Sequence, residues 1–385
     1  MSLNKIRIPI IFHKENSLRE LKKVTETKVL IITDRVVKSL FEEQITRFLK
    51  KKDFMFFDEI EPDPEDKIIL KGKDLALEFK PDLIIGFGGG SVMDVAKMIY
   101  FLYESERSSI YECNPITFYN LGQKSRLILI PTTSGTGAEH TPAAIITNSE
   151  TGQKIPIASQ EIIPHAVILD PKLSLKMPKN LTASTGMDAL VHAIEGITSK
   201  LRSDFSDAVN LHAIRLIAEY LPIILENNDD NIKIREKLHN AASLAGIGMA
   251  NSSCGLAHAC GHALGAIYHI PHGITVGIML PYTIEFNRDK CSESYIEILK
   301  NISTLEIKNP VVSLTSFLRD FLHKIEIPSS LKEIINDEDE WRKNLEKLAL
   351  LAKKDILTPF NPRALEENDF KKIFEYAYVG KSIDF

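Results

Sequence analysis

The feature that most constrains the fold is a change of pattern near residue 175. Before it, β-rich apolar runs alternate with helical segments, and after Asp170-Pro171 the β-rich runs stop and apolar residues recur every 3.6 positions. Alternating strands and helices are typical of a parallel sheet with helices on both faces. We therefore predict an α/β domain over residues 1–175 and an all-helical domain over residues 176–385.

Particular segments carry this prediction. The predicted strands are Lys28–Thr33, Asp82–Ile85, Arg126–Ile130 and Ala166–Leu169. The first predicted helices of the second domain are Ala183–Ile197, Asp204–Leu221, Ile232–Met249 and Leu256–Ile267. A chain of 385 residues is also too long for one ordinary core, in agreement with two domains.

Composition argues against several classes of protein. A net charge of −5 leaves no concentrated basic face of the kind that binds nucleic acid. No apolar run approaches the roughly 20 residues that span a bilayer, and the N-terminus lacks a basic-then-apolar signal segment. The four cysteines show no disulfide-framework spacing, which fits a reducing compartment. We predict a cytoplasmic protein without nucleic-acid or membrane partners.

Two loops predict a nucleotide site. Residues 86–91, Gly-Phe-Gly-Gly-Gly-Ser, join a predicted strand to a helix start, where close backbone approach and free N–H groups favour a pyrophosphate. Residues 131–137, Pro-Thr-Thr-Ser-Gly-Thr-Gly, follow another strand and add hydroxyl groups. Asp34 ends an earlier strand, where a carboxylate can hold a ribose hydroxyl and repels a 2′-phosphate. The alternative is that these glycines only make tight turns.

Histidines are concentrated in one segment. Four of the chain's eleven histidines fall between His258 and His272. Upstream, Asp188 and His192 are four residues apart in a helical segment, so they share one face. One carboxylate and several imidazoles suit Fe(II), Zn(II), Ni(II) or Co(II). The alternative is that such histidines are hydrogen-bonded core residues.

The small residues around these positions favour a site, because they leave space that a well-packed core would fill. Cys254 and Cys260 match no Cys-x-x-Cys pattern, and we expect them to be small buried hydrophobic residues.

With these motifs the sequence resembles the iron-containing (group III) alcohol dehydrogenases over nearly its whole length. The resemblance rests on the glycine loop with Asp94 and Lys97, on the Thr/Gly loop, on Gly186-Met-Asp188 with His192 and Glu195, and on the histidine segment. It implies a dehydroquinate synthase-like fold, with a Rossmann-like dinucleotide-binding domain, a helical domain, and a metal in the cleft between them.

The resemblance also implies particular site residues. The metal ligands would be Asp188, His192, His258 and His272, with iron or zinc as the metal. The residues that it implies for the nicotinamide cofactor are Asp34, Gly88, Gly89, Gly90, Ser91, Asp94, Thr132, Thr133, Thr136, Thr141 and Lys154. Asp34 favours NAD, with NADP as the alternative. His262 would either relay the substrate proton or hydrogen-bond a metal ligand.

The implied activity is hydride transfer between a nicotinamide and a small primary alcohol or aldehyde, in a homodimer or larger homo-oligomer. Glycerol dehydrogenases and dehydroquinate synthases of the same superfamily are alternatives, although their sites typically use three protein ligands. A catalytically inactive nucleotide-binding protein is another, but it predicts a broken ligand position. His140 and His269 would favour an anionic substrate if they were charged.

Overall fold

The computed structural model describes residues 6–227, 231–302 and 307–385. The chain divides into two compact units, Met1–Lys176 and Met177–Phe385. The strands of the first unit are β1 (Ile10–His13), β2 (Lys28–Ile32), β3 (Asp53–Phe57), β4 (Leu83–Gly88), β5 (Arg126–Pro131), β6 (Ala143–Thr147), β7 (Lys154–Ala158) and β8 (Ala166–Leu169). Its α-helices are α1 (Arg35–Leu49), α2 (Asp66–Phe79) and α3 (Gly90–Ser105).

The first unit is built on a parallel sheet with strand order β1-β8-β5-β4-β2-β3, and β6 and β7 form a separate antiparallel pair. Strand β2 shows why the central strands are continuous apolar runs. Val29 and Ile31 pack in one core with Phe41 of α1, whereas Leu30 and Ile32 belong to the core that contains α3. Successive strand residues point to opposite faces, so a strand covered by helices on both faces has no polar side.

The sheet order places the polar loops of the first unit side by side. Strand β4 lies between β2 and β5, and the chain leaves β2 toward β3 on one side before crossing to β4 on the other. The loops after β2, β4 and β5 therefore emerge at the same edge, at the point where the strand order reverses. In open parallel sheets, ligands bind beside this reversal.

The second unit is helical in the residues described. Its α-helices are α4 (Lys179–Thr198), α5 (Asp204–Asn227), α6 (Ile232–Ser252), α7 (Leu256–Tyr268), α8 (His272–Phe286), α9 (Arg288–Ile302), α10 (Pro310–Lys324), α11 (Glu338–Lys354) and α12 (Glu367–Val379). Helix α4 is buried on nearly all sides from Thr182 to Ile197, as expected of a central core helix. Its apolar residues share one core with those of α5 to α12.

The predicted fold class is confirmed, and the predicted strands and helices occur with ends within about six residues of those expected, the largest difference being at the end of α5. The sequence analysis did not predict β1, β3 or the β6–β7 hairpin. Strands β1 and β3 are edge strands with partly exposed residues, and β6 and β7 have burial patterns unlike those of the central strands. Edge strands lack the continuous apolar runs by which the others were recognised.

Helix α5 is an exception to the prediction that no apolar segment approaches the length that spans a bilayer. Among the described residues, its segment Asp204–Glu226 is long and apolar enough to cross a bilayer by length and composition, and 44% of its apolar stretch is buried. The sequence analysis overlooked it because Arg215 and Glu219 interrupt the apolar run. Here Ile214 and Leu221 lie fully buried in the helical core, and core helices of soluble proteins pass the same test.

Candidate functional site

The second unit gathers one carboxylate oxygen and three imidazole nitrogens. Asp188 Oδ1 lies 3.7 Å from His192 Nε2, 3.7 Å from His258 Nε2 and 3.4 Å from His272 Nε2. Asp188, His192 and His258 are buried, and the side chain of His272 is 40% exposed. The residues predicted as metal ligands therefore converge on one side of Asp188.

The spacing of these atoms fits a metal better than it fits hydrogen bonds. Ligand atoms about 2.0–2.2 Å from a tetrahedral zinc ion lie roughly 3.3–3.6 Å from one another. Among the described residues, the buried atoms Asp188 Oδ1 and His258 Nε2 have no hydrogen-bond partner. Buried polar atoms are usually paired, and a bound cation would satisfy both. The ligand atoms of Asp188, His258 and His272 all lie within 4.8 Å of one another.

Local geometry explains how these residues meet. Asp188 and His192 are one turn apart on α4, and His272 is the first residue of α8. Helix α8 approaches α4 closely at Gly273, where a Cβ atom would lie 1.9 Å from the carbonyl oxygen of Ser184. Glycine at 273 is thus required to bring His272 against α4.

Glu195 supports His258 from behind. Its Oε2 accepts a 2.7 Å hydrogen bond from His258 Nδ1, and its carboxylate also accepts from the backbone N–H groups of Gly255 and Ala257 at the start of α7. Burial raises the pKa of Glu195, but these hydrogen bonds outweigh burial and lower it. With Nδ1 held by a carboxylate, His258 presents Nε2 as a ligand atom, which is a common outer-sphere arrangement at metal sites.

The protonation states of two of these groups, His192 and Asp188, suit metal ligands. Against the effect of burial, the Cys254 thiol and the carboxylates of Asp188 and Glu195 raise the pKa of His258, so a bound cation would displace its proton. Burial lowers the pKa of His192 to about 4, so its imidazole is neutral at pH 7. Burial alone would raise the pKa of Asp188, but the imidazoles of His192, His272 and His258 hold it well below its usual range. An ionised carboxylate and a neutral imidazole are the forms that bind cations.

Two further residues adjoin this cluster. His262 Nδ1 donates a 2.8 Å hydrogen bond to Asp355 Oδ2, and the ring of His262 stacks on that of His272 with centroids 5.2 Å apart. Sequence reasoning missed Asp355 because it lies 93 positions from His262, at the end of α11. Cys254 is buried, as predicted, but it also forms a compact group with His192 and His258.

In the first unit, the two polar loops contact each other. The backbone N–H of Thr132 donates to the carbonyl oxygen of Gly88, and a Cβ atom at Gly90 would lie 3.1 Å from Thr136 Cγ2. A Cβ atom at Gly89 would lie 3.5 Å from Thr133. Gly90 and Ser91 begin α3, so the glycine loop ends at a helix N-terminus. These predicted cofactor residues are brought together.

A buried lysine ties the same region to the β6 strand. Lys97 is fully buried, and its Nζ donates to Thr141 Oγ1 at 2.9 Å and to the carbonyl oxygen of Ala143 at 2.8 Å. Asp94, one turn earlier on α3, lies 3.7 Å from Lys97 Nζ and accepts from the N–H of Ile145. Predicted cofactor residues Asp94 and Thr141 therefore sit in one hydrogen-bonded network.

Asp34 and Lys154 have other partners. Asp34 follows β2 and is the N-cap of α1, where its Oδ1 accepts a 2.8 Å hydrogen bond from the N–H of Val37. Lys154 begins β7 and forms an exposed 2.5 Å ion pair with Asp63. Asp34 lies at the loop edge of the sheet, whereas the position of Lys154 is explained by this ion pair alone.

Comparisons with known proteins match these regions. A family model for iron-containing alcohol dehydrogenases matches residues 9–171, and the model for the C-terminal part of the Fe-containing alcohol dehydrogenase family matches residues 182–378. The chain belongs to the iron-containing alcohol dehydrogenase family. It is 35% identical to the NADPH-dependent butanol dehydrogenase of Clostridium saccharobutylicum, over 97% of this chain and 98% of that protein.

Other members of the iron-containing alcohol dehydrogenase family agree. The solved structure of an alcohol dehydrogenase from Oenococcus oeni matches with a TM-score of 0.91 and 30% identity, covering 97% of this chain and 100% of that one. The bifunctional aldehyde-alcohol dehydrogenase of Escherichia coli is 34% identical over 92% of this chain, which spans only 43% of that longer protein. The predicted family and its enzyme class, an NAD(P)-linked and metal-using alcohol dehydrogenase, are thereby confirmed.

In this dehydrogenase, the two histidines considered for an anionic substrate, His140 and His269, lie in different surroundings. His140 is only 1% exposed, and burial, aided by Lys97, lowers its pKa to about 3, so its ring is neutral. His269 is exposed and ends α7 in the left-handed backbone region. A buried, neutral His140 gives no support to recognition of an anion at that position.

The segment 14–16, after β1, has an unusual backbone. Lys14 and Asn16 adopt φ angles of 106° and 66°, in the region that favours glycine. Hydrogen bonds from the N–H groups of Asn16 and Leu18 to Asp170 hold this segment in place. The fold is retained although the backbone there favours glycine.

Proposed function

We propose that this chain is a metal-dependent dehydrogenase of small primary alcohols in which Asp188, His192, His258 and His272 are the metal ligands. One observation carries the proposal: Asp188 Oδ1, without a hydrogen-bond partner among the described residues, lies 3.4–3.7 Å from the Nε2 atoms of the three histidines. Each of the four predicted ligand positions holds a residue that can bind a metal, which argues against an inactive nucleotide-binding protein.

In this proposal, the ion is Fe(II) or Zn(II). Bound there, it would supply Lewis-acid chemistry that makes an alcohol easier to deprotonate and a carbonyl easier to reduce. Glu195 orients His258 through Nδ1, and Gly273 lets α8 carry His272 to α4. The chain's own task at this site is to hold three imidazoles and one carboxylate in a fixed arrangement.

The proposal assigns residues 1–175 to the nicotinamide cofactor and residues 176–385 to the metal. The glycine loop and the Thr/Gly loop present a helix N-terminus and hydroxyl groups, which suit a pyrophosphate. Asp34, at the end of β2, would bind a ribose hydroxyl and favour NAD over NADP. For Lys154 to contact the cofactor, its side chain would have to leave the ion pair with Asp63.

The proposed substrate is a small uncharged primary alcohol or the matching aldehyde. The neutral, buried state of His140 removes the main reason to expect an anionic substrate. A cytoplasmic location is supported by the four cysteines, which are all free thiols in the structure and buried. A homo-oligomer is supported only by the family resemblance, and light scattering of the purified protein would test it.

The decisive experiment compares His272→Ala with His269→Ala, a matched change three residues earlier outside the cluster. We expect His272→Ala to lose bound metal and at least a hundredfold in turnover, because it removes one ligand. Dinucleotide affinity should stay within about twofold, since His272 lies in the other unit. Metal analysis, turnover with alcohols and aldehydes, and cofactor titration measure the three quantities.

His269→Ala should retain both metal and turnover. If His272→Ala keeps full metal content and full activity, the ligand assignment is wrong. If the wild-type protein binds metal but oxidises no alcohol with either nicotinamide, the proposed activity is wrong even though the site exists.

A further inference from the structure

The β6–β7 hairpin lies outside the parallel sheet and needs another attachment. Its two strands form a separate sheet of their own. A hairpin of two strands is at best marginally stable alone, so it depends on the elements against which it packs. Ala144 and Ile146 of β6 share a buried core with residues of α3. The chain reaches β6 after the Thr/Gly loop and one short turn, so the attachment of the hairpin also fixes one end of that loop.

Two polar side chains of α3 bind the free edge of β6. Ile145 lies opposite Pro156, which has no N–H group, so the backbone groups of Ala143 and Ile145 face away from β7. Lys97 Nζ donates a 2.8 Å hydrogen bond to the carbonyl oxygen of Ala143. Asp94 Oδ2 accepts a 3.0 Å hydrogen bond from the N–H of Ile145. These two side chains therefore take the place of a neighbouring strand.

Lys97 also holds Thr141, which lies just before β6. Lys97 Nζ donates a 2.9 Å hydrogen bond to Thr141 Oγ1. The Thr141 hydroxyl lies 3.0 Å from the carbonyl oxygen of Ala143 and 3.3 Å from that of Ala138. A hydroxyl group has one proton, and since it is donated to a backbone carbonyl, none is left for a phosphate oxygen. The carboxylate of Asp94 would repel a phosphate, so neither side chain is suited to contact a pyrophosphate.

Lys97 is itself inaccessible to a ligand. Its side chain is 0% exposed, and lysine is almost never fully buried unless it is paired. Its hydrogen-bond and ion-pair partners belong to α3 or to the segment that follows the Thr/Gly loop. Helix α3 begins with Gly90 and Ser91 of the glycine loop. The contacts of Lys97 therefore join the two loops at a second place, in addition to the hydrogen bond from Thr132 to Gly88.

We propose that Lys97 is a positioning residue for the nicotinamide cofactor, which together with Asp94 holds the β6–β7 hairpin and the end of the Thr/Gly loop against α3. In this arrangement the two loops keep the separation that a pyrophosphate needs. The inference rests on the proposed function, which assigns residues 1–175 to the cofactor. It gives Asp94 and Thr141 an indirect role in cofactor binding, through the positions of the two loops.

Lys97→Met removes the donor and keeps an unbranched side chain of similar length. We expect the Kd of NAD+ or NADP+, whichever the wild type binds more tightly, to rise on the order of tenfold, because the hairpin and the loop lose two hydrogen bonds to α3. Calorimetric titration measures this Kd. At saturating cofactor, kcat should stay within about threefold of the wild type, and metal content should not change, since the metal ligands lie in the other unit. An unchanged Kd would overturn the proposal.

The matched control is Lys52→Met in the same unit. Lys52 Nζ also donates to two backbone carbonyl oxygens, those of Val24 and Glu26, at 2.7 and 2.5 Å. These residues precede β2 and β3, so they lie at the edge of the sheet opposite to the polar loops. We expect the Kd of the dinucleotide in this variant to remain within about twofold of the wild type. An equal rise in Kd in both variants would reflect a general loosening of the first unit and would refute a specific role of Lys97.

Thr141→Val keeps the inference testable if Lys97→Met folds poorly. It removes one acceptor of Lys97 while the side chain keeps its shape. We expect the Kd of the dinucleotide to rise about threefold, and amide hydrogen exchange at Ile145 to become faster because β6 is held less firmly. No change in either quantity, or a loss of affinity with unchanged exchange in β6, would contradict the proposal.

The double variant Lys97→Met/Thr141→Val separates an indirect role of Thr141 from a direct one. Both changes remove the same hydrogen bond, so the double variant should bind the dinucleotide no more weakly than Lys97→Met alone. Losses that add would mean that Thr141 contacts the cofactor itself. If the wild type binds neither NAD+ nor NADP+, the proposed function is wrong, whereas an unchanged Kd in Lys97→Met contradicts only the role of Lys97.

Discussion

The two units build their candidate sites in different ways. In the first, most of the proposed cofactor residues lie in two short contiguous loops, and what these loops offer is mainly backbone: glycines, N–H groups and the start of α3. In the second, the cluster is made of side chains from α4, α7 and α8. On α7, His258 is held by Glu195 of α4, and the adjoining His262 is held by Asp355 at the end of α11. We call the first a backbone site and the second a side-chain cluster. Ligand binding at a backbone site is sensitive to added side-chain atoms, whereas the geometry of a side-chain cluster depends on distant hydrogen-bond partners and on helix packing.

The most direct test of this difference between the two sites is to displace one helix of the side-chain cluster. In Gly273→Ala the added Cβ would meet the Ser184 carbonyl oxygen at 1.9 Å, so α8 must shift away from α4. We expect the free energy of unfolding to fall by about 1–3 kcal/mol, as for other overpacked cores. Bound metal should fall with it because His272 is the neighbouring residue. Chemical denaturation and metal analysis measure both.

Gly265→Ala on α7 is the matched control, because its Cβ would have Ile270 O as nearest neighbour at 3.8 Å, an ordinary contact. It should keep its metal and gain up to about 1 kcal/mol of stability from better helix propensity. If Gly273→Ala retains full metal content, close packing of α8 is not what positions His272.

The corresponding change in the first unit should affect binding more than stability. In Gly90→Ala the added Cβ would lie 3.1 Å from Thr136 Cγ2, so the two loops must separate slightly. We expect the affinity for the nicotinamide dinucleotide to fall on the order of tenfold, equivalent to about 1.4 kcal/mol. Calorimetric titration gives the affinity, and metal content should be unchanged.

Thr136→Ser supplies the rescue, since it removes the methyl group nearest to the added Cβ. The double variant Gly90→Ala/Thr136→Ser should recover most of the lost affinity if crowding between the loops is the cause. Loss of metal in Gly90→Ala would contradict the separation between the backbone site and the side-chain cluster.

The difference between the two sites explains which features could be predicted from the sequence. Strands β2, β4, β5 and β8 were predictable because burial on both faces leaves a continuous apolar run. Edge strands β1 and β3 and the β6–β7 hairpin lack that pattern and were missed. The glycine and threonine loops could be read from contiguous residues, and their contact follows from the adjacency of β4 and β5.

Side-chain partners were harder to predict. Asp188 and His192 were predictable as a pair because helical periodicity places them on one face. Nothing local to Asp355 or to Lys97 shows that the first meets His262 or that the second is fully buried, because both contacts depend on tertiary packing. The charge of His140 could not be predicted for the same reason, since burial and Lys97 set it.

The smallest expected effect concerns cofactor choice at Asp34, where a side chain acts within the backbone site. Asp34→Ser retains an N-cap oxygen for Val37 but removes the negative charge. Repulsion of a 2′-phosphate across about 4 Å of water is worth about 1 kcal/mol, so the preference for NADP over NAD should rise roughly fivefold. The ratio of kcat/KM with the two cofactors measures this. Asp34→Ala, which loses the cap as well, should show the same shift with about 1 kcal/mol less stability. An unchanged kcat/KM ratio in both variants would mean that Asp34 only caps α1, and that other residues of the first unit determine the preference between NAD and NADP.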